Sequence, residues 1–490
     1  MFSYHIFYFP FIWENPARTG KLFAEQNDLS AIPLNPDTNW LHCPEMTESE
    51  KRDFYNEQNY FYKFVHNILY DSKTNDTLVL HYERREPNEH SVTYTIAVNN
   101  GKTYKLKVDA MNLNLYTTGV GLLTFYLANN DKNQCEPPDI LKINQYGRRI
   151  FPPFFNDIDG KLKTVKYLQI EGLNGEQRRF YEDFSSYKNK NEDNLYQSWQ
   201  PACFIGNLIS DLSETLVIKP VVDDRMFVMS WYKNNSLSEE FTNNTLDSFY
   251  ENDFWYNYLF VDGYSLTCQN SEMKKALLEK HTYTRWQKKN SLYGISRYSF
   301  VLLTDDSCPD YLLRYFQTMY ARMTELVLLQ RASRLRFSEE VNRASQLSKN
   351  DVADKKIIGH ISSIYQEYIR FINCVYFKDI TAQEQGIELY ELFFKTMNVG
   401  EYVKELDDEI AELDEYVNLL DDKIRNKNAE FLNIVAAVFL PATVFFAWLS
   451  TNDNTWNIAS WLKLVIGVGC SAIMLIIWKL IVKKKQIKWK

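Results

Sequence analysis

Two segments concentrate side chains that recognise phosphate and flat aromatic ligands. Asp139–Phe155 carries Asn144, Tyr146, Gly147, Arg148 and Arg149 ahead of Pro152 and Pro153. His281–Val301 carries Tyr283, Arg285, Trp286, Lys288, Lys289, Tyr293, Gly294, Arg297 and Tyr298. A guanidinium offers a bidentate fork to phosphate, and aromatic faces stack on bases. Asn144, Arg148, Arg149, Tyr283, Arg285, Trp286 and Arg297 are therefore candidate nucleotide contacts. The competing reading is a surface loop whose aromatics fill a core and whose cations pair with acids.

A second chemical feature is acidic. Between Glu401 and Asp422 ten acids stand against one base, Lys404. Like charges on one helix repel unless something offsets them. Asp407, Asp408, Glu412, Asp421 and Asp422 are candidate cation ligands, and a solvated acidic face is the alternative. A third feature is the stripe Asn426, Ala429, Asn433, Ala436, Leu440 and Thr443, spaced by three and four. Small, amide and hydroxyl residues in such a stripe line a narrow pore or pack helices closely.

Enzyme chemistry has little footing. The chain has no P-loop, GxSxG or HExxH pattern, and His5, His42, His66, His81, His90, His281 and His360 form no metal spacing. No catalytic residue and no tightly bound cofactor is expected. Asp157, Asp159, Asp223 and Asp224 more often cap turns than bind metal. The seven cysteines are scattered and form no CxxC, which fits a reducing compartment rather than a disulfide framework or a zinc site. A net charge of −8 argues against DNA or RNA binding.

The elements that must position these residues follow from periodicity. Residues 1–305 alternate strand-like and short helical runs, as an α/β domain does. Strands are expected at the aromatic N-terminus (Met1–Pro10) and at Thr77–Tyr82, Val92–Val98, Thr103–Leu115, Gly121–Leu127, Val165–Ile170, Met226–Trp231 and Tyr298–Leu303. Helices are expected over Pro309–Leu347 and Ala353–Phe377, within a helical region at 306–380. A stalk helix at 381–430 comes next, with the heptad seam Leu406, Ile410, Leu413, Val417, Leu420 and Ile424. The pattern predicts one unbroken helix from about Ile387 onward, with Gly400 its weakest point.

Phe431 to Leu449 is free of charge over 19 residues, roughly 28 Å as a helix. A second apolar stretch covers 458–482, after a loop at 450–457 and before a basic tail at 483–490. Trp448, Trp456, Trp461 and Trp478 lie near the ends. The reading is two transmembrane helices, with lysine and arginine flanks placing both termini in the cytoplasm of a multi-pass bacterial inner-membrane protein.

This C-terminal order resembles the CorA family of magnesium and cobalt transporters, over roughly Cys308 to Lys490. Pro441 and Thr443 match the Pro-x-Thr pattern of the first span. The family's Gly-Met-Asn falls on Ser450, Thr451 and Asn452, so only the asparagine is kept. The resemblance implies a homo-pentamer with Asn452 at the pore mouth, Thr443 and Leu440 as inner ring and gate, and Asn426 at the cytoplasmic end. It also implies divalent cations as cargo, with Mg2+ as the transported or regulatory ion. A CorA-like branch without the strict motif resembles type III CRISPR effectors, opened in antiviral defence by a nucleotide messenger of the S-adenosylmethionine-AMP type.

The expected architecture is an α/β cytoplasmic domain followed by a helical region, a long stalk helix and two transmembrane helices per subunit. Three functions fit it: a cation channel gated by its cytoplasmic domain, a nucleotide-opened membrane effector, or a membrane-anchored scaffold.

Overall fold

A computed structural model describes residues 1–18, 21–70, 77–85, 91–98, 101–150, 165–173, 177–184, 201–223, 225–243, 248–263, 266–347 and 354–451, with residues 465 and 469. The chain divides into two units. The first comprises 1–351 and 359–411, and the second 352–358 and 412–490.

The first unit is built on one mixed sheet of 13 strands. They are β1 (Ser3–Glu14), β2 (Trp40–His42), β3 (Val79–Arg84), β4 (Thr93–Val98), β5 (Thr103–Tyr116), β6 (Val120–Asn129), β7 (Val165–Glu171), β8 (Tyr181–Asp183), β9 (Val217–Pro220), β10 (Phe227–Lys233), β11 (Thr282–Tyr283), β12 (Leu292–Ile295) and β13 (Ser299–Thr304). The main order is β11-β12-β13-β10-β1-β6-β5-β4-β7-β8. Neighbours are antiparallel except β10 and β13, which run parallel.

The sequence of β1, SYHIFYFPFIWE, is apolar on both pleats, as a strand covered on both faces must be. Its first eleven residues are buried. Pro10 has no N–H for a ladder, and the register provides for it. One edge of β1 pairs Ser3–Tyr8 with β10 and Phe11–Glu14 with β9, so Pro10 falls in the gap between those partners.

The helices that pack on this sheet or extend the chain beyond it include α1 (Glu48–Tyr60), α2 (Pro137–Gly147), α3 (Cys203–Leu212), α4 (Asp253–Phe260), α5 (Met319–Leu347), α6 (Asp354–Cys374), α7 (Glu384–Thr396) and α8 (Val399–Thr451). Phe7, Phe125, Tyr94, Phe204 and Tyr258 belong to one large core with residues of α2, α3 and α4. α5 packs on β1 and β6, where Tyr8 donates from its hydroxyl to the Ala321 carbonyl at 3.1 Å.

Two sequence expectations need correction. The unbroken helix from Ile387 is two helices, because Asn398 takes a left-handed φ of 56°. Its N–H returns to the Lys395 carbonyl at 3.1 Å, which closes α7 in the manner of a left-handed C-terminal cap. α8 then starts at Val399, one residue before Gly400.

The second correction concerns the two transmembrane helices, and with them the multi-pass inner-membrane location and the channel. No helix among the described residues is long and apolar enough to cross a membrane. The run Phe431–Leu449 is the tail of the 53-residue α8, which also carries the acidic stretch. The loop 450–457, apart from its first two residues, and the tail 483–490 lie outside the described residues, as does the stretch 458–482 apart from residues 465 and 469.

Candidate functional site

The nucleotide candidates separate into three places. The first is the core. Asn144 on α2 is buried and shares a 2.7 Å hydrogen bond between Oδ1 and His5 Nδ1. His5 also contacts Ser3 (2.9 Å) and Ser230 (3.2 Å). Burial pulls the His5 pKa down to about 4, so the ring is neutral near pH 7. Arg148 is 1% exposed and donates through Nη2 to the Val261 carbonyl at 3.3 Å. Arg149 is buried too and bridges Arg225 through its backbone.

The second place is the surface where the β11–β12 hairpin meets α7. Arg285 pairs with Glu384 at 2.7 Å and Glu388 at 2.6 Å. Trp286 donates from Nε1 to Gln385 Oε1 at 2.9 Å, and the Tyr283 hydroxyl donates to Glu388. The hydrogen bonds from Arg285 to both glutamates hold its guanidinium well above the usual pKa. Tyr283, Arg285 and Trp286 thus clasp the sheet edge to α7.

The third place is a cavity of about 320 Å³ lined by Val221, Val222, Arg297, Arg331, Arg334, Leu335, Met397, Val399 and Tyr402. Arg297 follows β12, Arg331 and Arg334 lie on α5, and Val399 and Tyr402 open α8. Spacing by three puts Arg331 and Arg334 on one face of α5. Each arginine is steadied from behind. Arg297 Nε donates to the Thr396 carbonyl at 3.3 Å. Arg331 Nη1 reaches Met397 Sδ at 3.2 Å. Arg334 Nε donates to the Tyr402 carbonyl at 3.4 Å, and its guanidinium lies 4.7 Å from the Tyr402 ring centroid.

The charge around this cavity is unbalanced. Arg334 has Glu405 at 3.6 Å. Among the described residues neither Arg297 nor Arg331 has a carboxylate within salt-bridge distance. Burial, and then the charge of Arg297, draw the Arg331 pKa below its usual value. Asp223 works in the opposite direction but is itself paired with Arg225 at 3.2 Å. Tyr298 stands beside this group, with the Arg225 guanidinium 5.2 Å and the Arg148 guanidinium 5.7 Å from its ring centroid. Fixed cations in a partly dry cavity bind anions far more strongly than the same cations do in water.

No family model and no curated protein matches this sequence.

The acidic candidates do not gather into a metal site. No group of three or more potential ligands occurs among the described residues. Asp407 accepts from the Tyr368 hydroxyl, and Asp421 pairs with Arg425 at 2.8 Å. Asp408, Glu412 and Asp422 stand exposed along α8. The pore candidates Asn426, Ala429, Asn433, Ala436, Leu440 and Thr443 are exposed along the same helix. Thr443 bonds back to the Leu440 carbonyl at 2.8 Å. Asn452 lies outside the described residues.

Of the cavity's polar residues the sequence pattern singles out Arg297 alone. Arg331 and Arg334 do carry a signal, since two arginines three apart on an otherwise buried helix are unusual. Nothing local marks Tyr402 or Met397, which come to the cavity only through the break at Asn398.

Proposed function

We propose that this chain is a ligand-responsive binding protein whose sheet domain takes a phosphate-bearing nucleotide ligand between Arg297, Arg331 and Arg334. The supporting observation is the cationic cavity in which two arginines lack a carboxylate partner among the described residues. Guanidinium groups bind phosphate bidentately, and the three arginines keep a net positive charge at the cavity even with Arg334 paired to Glu405. Tyr402, which lines the cavity, supplies an aromatic side chain for contact with a base. The volume is at the lower end for a ligand pocket, enough for the phosphates and part of the nucleoside. In this reading the protein is an effector switched by a nucleotide messenger, and the sheet domain is the sensor.

The test is calorimetric titration with ATP, ADP, S-adenosylmethionine and adenosine. The phosphate-bearing compounds should saturate the protein, and adenosine should bind at least tenfold more weakly. Arg331→Gln keeps a polar side chain but removes the charge. It should weaken ATP binding about tenfold or more, the loss expected for a charged hydrogen bond. Failure of ATP and ADP to bind, or wild-type affinity in Arg331→Gln, would refute the proposal.

A further inference from the structure

The three arginines do two jobs, and the second has a mechanical consequence. All three line the cavity. Each also touches the elbow joining α7 to α8, through the Thr396 carbonyl, Met397 Sδ and the Tyr402 carbonyl, while Arg331 also reaches the Arg297 carbonyl at 3.5 Å and Arg334 pairs with Glu405 at 3.6 Å. The elbow is the point where the helix would otherwise run straight. Its conformation depends on Asn398, which holds φ at 56° without being glycine. A non-glycine residue in this region carries a steric cost, so neighbouring contacts must keep it there.

We infer that ligand occupancy of the arginine cavity clamps the α7–α8 elbow, so that the start of α8 is where binding is read out. This rests on the nucleotide reading above. Without an anion, Arg297 and Arg331 repel each other, and that repulsion works against the contacts they make to the elbow. An anion between them cancels the repulsion and draws both guanidinium groups inward with the elbow attached. The first N–H groups of α8 have no intrahelical partners and sit at the positive end of a long helix, so an anion beside Val399 is favourable to them as well. Ligand and elbow geometry therefore stabilise each other. Such coupling is reciprocal: whatever strains the elbow must weaken the ligand by the same factor.

Asn398 allows that reciprocity to be measured without touching the cavity. Its side chain does not line the cavity. Asn398→Ala adds strain at positive φ, whereas Asn398→Gly relieves it. Titration of the full chain with ATP should show Asn398→Ala binding about fivefold more weakly than wild type, the effect of about 1 kcal/mol of left-handed strain, with Asn398→Gly at least as tight as wild type. In the wild-type chain, saturating ATP should slow hydrogen exchange of the Met397, Asn398 and Tyr402 amides, which bond to Phe393, Lys395 and Asn398 carbonyls. ATP binding with unchanged exchange at these amides, or with equal affinity in both variants, would overturn the clamp while leaving the binding site standing. Absence of ATP binding would overturn both. The exchange measurement uses the wild-type protein, so it decides the matter even where Asn398→Ala folds poorly.

Discussion

At the scale of single residues, the least comfortable group in the sheet domain is Glu57, Arg322 and Glu325. Arg322 reaches Glu57 at 3.3 Å and Glu325 at 2.9 Å, and Asn114 and Tyr116 both donate to Glu325. One guanidinium thus serves two buried carboxylates. Burial raises the Glu57 pKa, only partly offset by Arg322. A carboxylate whose folded pKa is raised stabilises the fold fully below its unfolded value. That contribution is lost as pH rises through the folded value. Glu57→Gln cannot ionise and escapes that loss. The Tm difference between Glu57→Gln and wild type should become more favourable to the variant from pH 4 to pH 8. A difference independent of pH would show that Glu57 is not the strained member. The same scale explains why the sequence misdirects about cations. Arg285 and Arg297 are twelve positions apart in one loaded segment. Arg285 meets Glu384 and Glu388 about a hundred residues away, whereas the Arg297 side chain donates to the Thr396 carbonyl and lines a cavity. Local composition cannot tell these two fates apart.

At the scale of elements, the strands were readable because burial dictates their composition. The expected strands at Val92–Val98, Thr103–Leu115, Gly121–Leu127 and Val165–Ile170 coincide with β4, β5, β6 and β7 to within a few residues. β6 also pairs with β1, and the two pack closely at one point. Gly121 lies opposite Phe11, and a Cβ placed there would overlap the Phe11 ring. Gly121→Ala should destabilise the fold by about 2 kcal/mol or more, the usual range for overpacking a filled core, seen as a lower midpoint in urea. A variant as stable as wild type would mean that β1 shifts at little cost. Helix ends were less readable. The periodicity of α7 continues into α8 almost unbroken, and only the left-handed Asn398 separates them. Asparagine tolerates that conformation without announcing it, so the sequence draws attention to Gly400 instead, two residues away.

At the scale of the whole molecule, the chain joins a large sheet unit to a long helix with an acidic first half and an apolar end. Hydropathy alone makes that end look like a membrane module, and a family resemblance built on it supplies a pore, a pentamer and an ion. Among the described residues no helix meets the requirement for crossing a membrane. The part of the chain with a definable binding geometry lies elsewhere. All nine residues lining the arginine cavity belong to the first unit, and the last of them is Tyr402. So do the clasp of Arg285 with Glu384 and Glu388 and the elbow at Asn398. If sensing belongs to this unit, the chain beyond it should not be needed for ligand binding. A protein ending at Ala411 keeps every strand and the first three turns of α8, together with Glu405, the partner of Arg334. It should melt cooperatively and bind ATP within about threefold of the full chain, because every residue that lines the cavity is retained. A cooperative, folded truncation that no longer binds ATP would place part of the site in the second unit. It would also move the search for the ligand to the acidic helix.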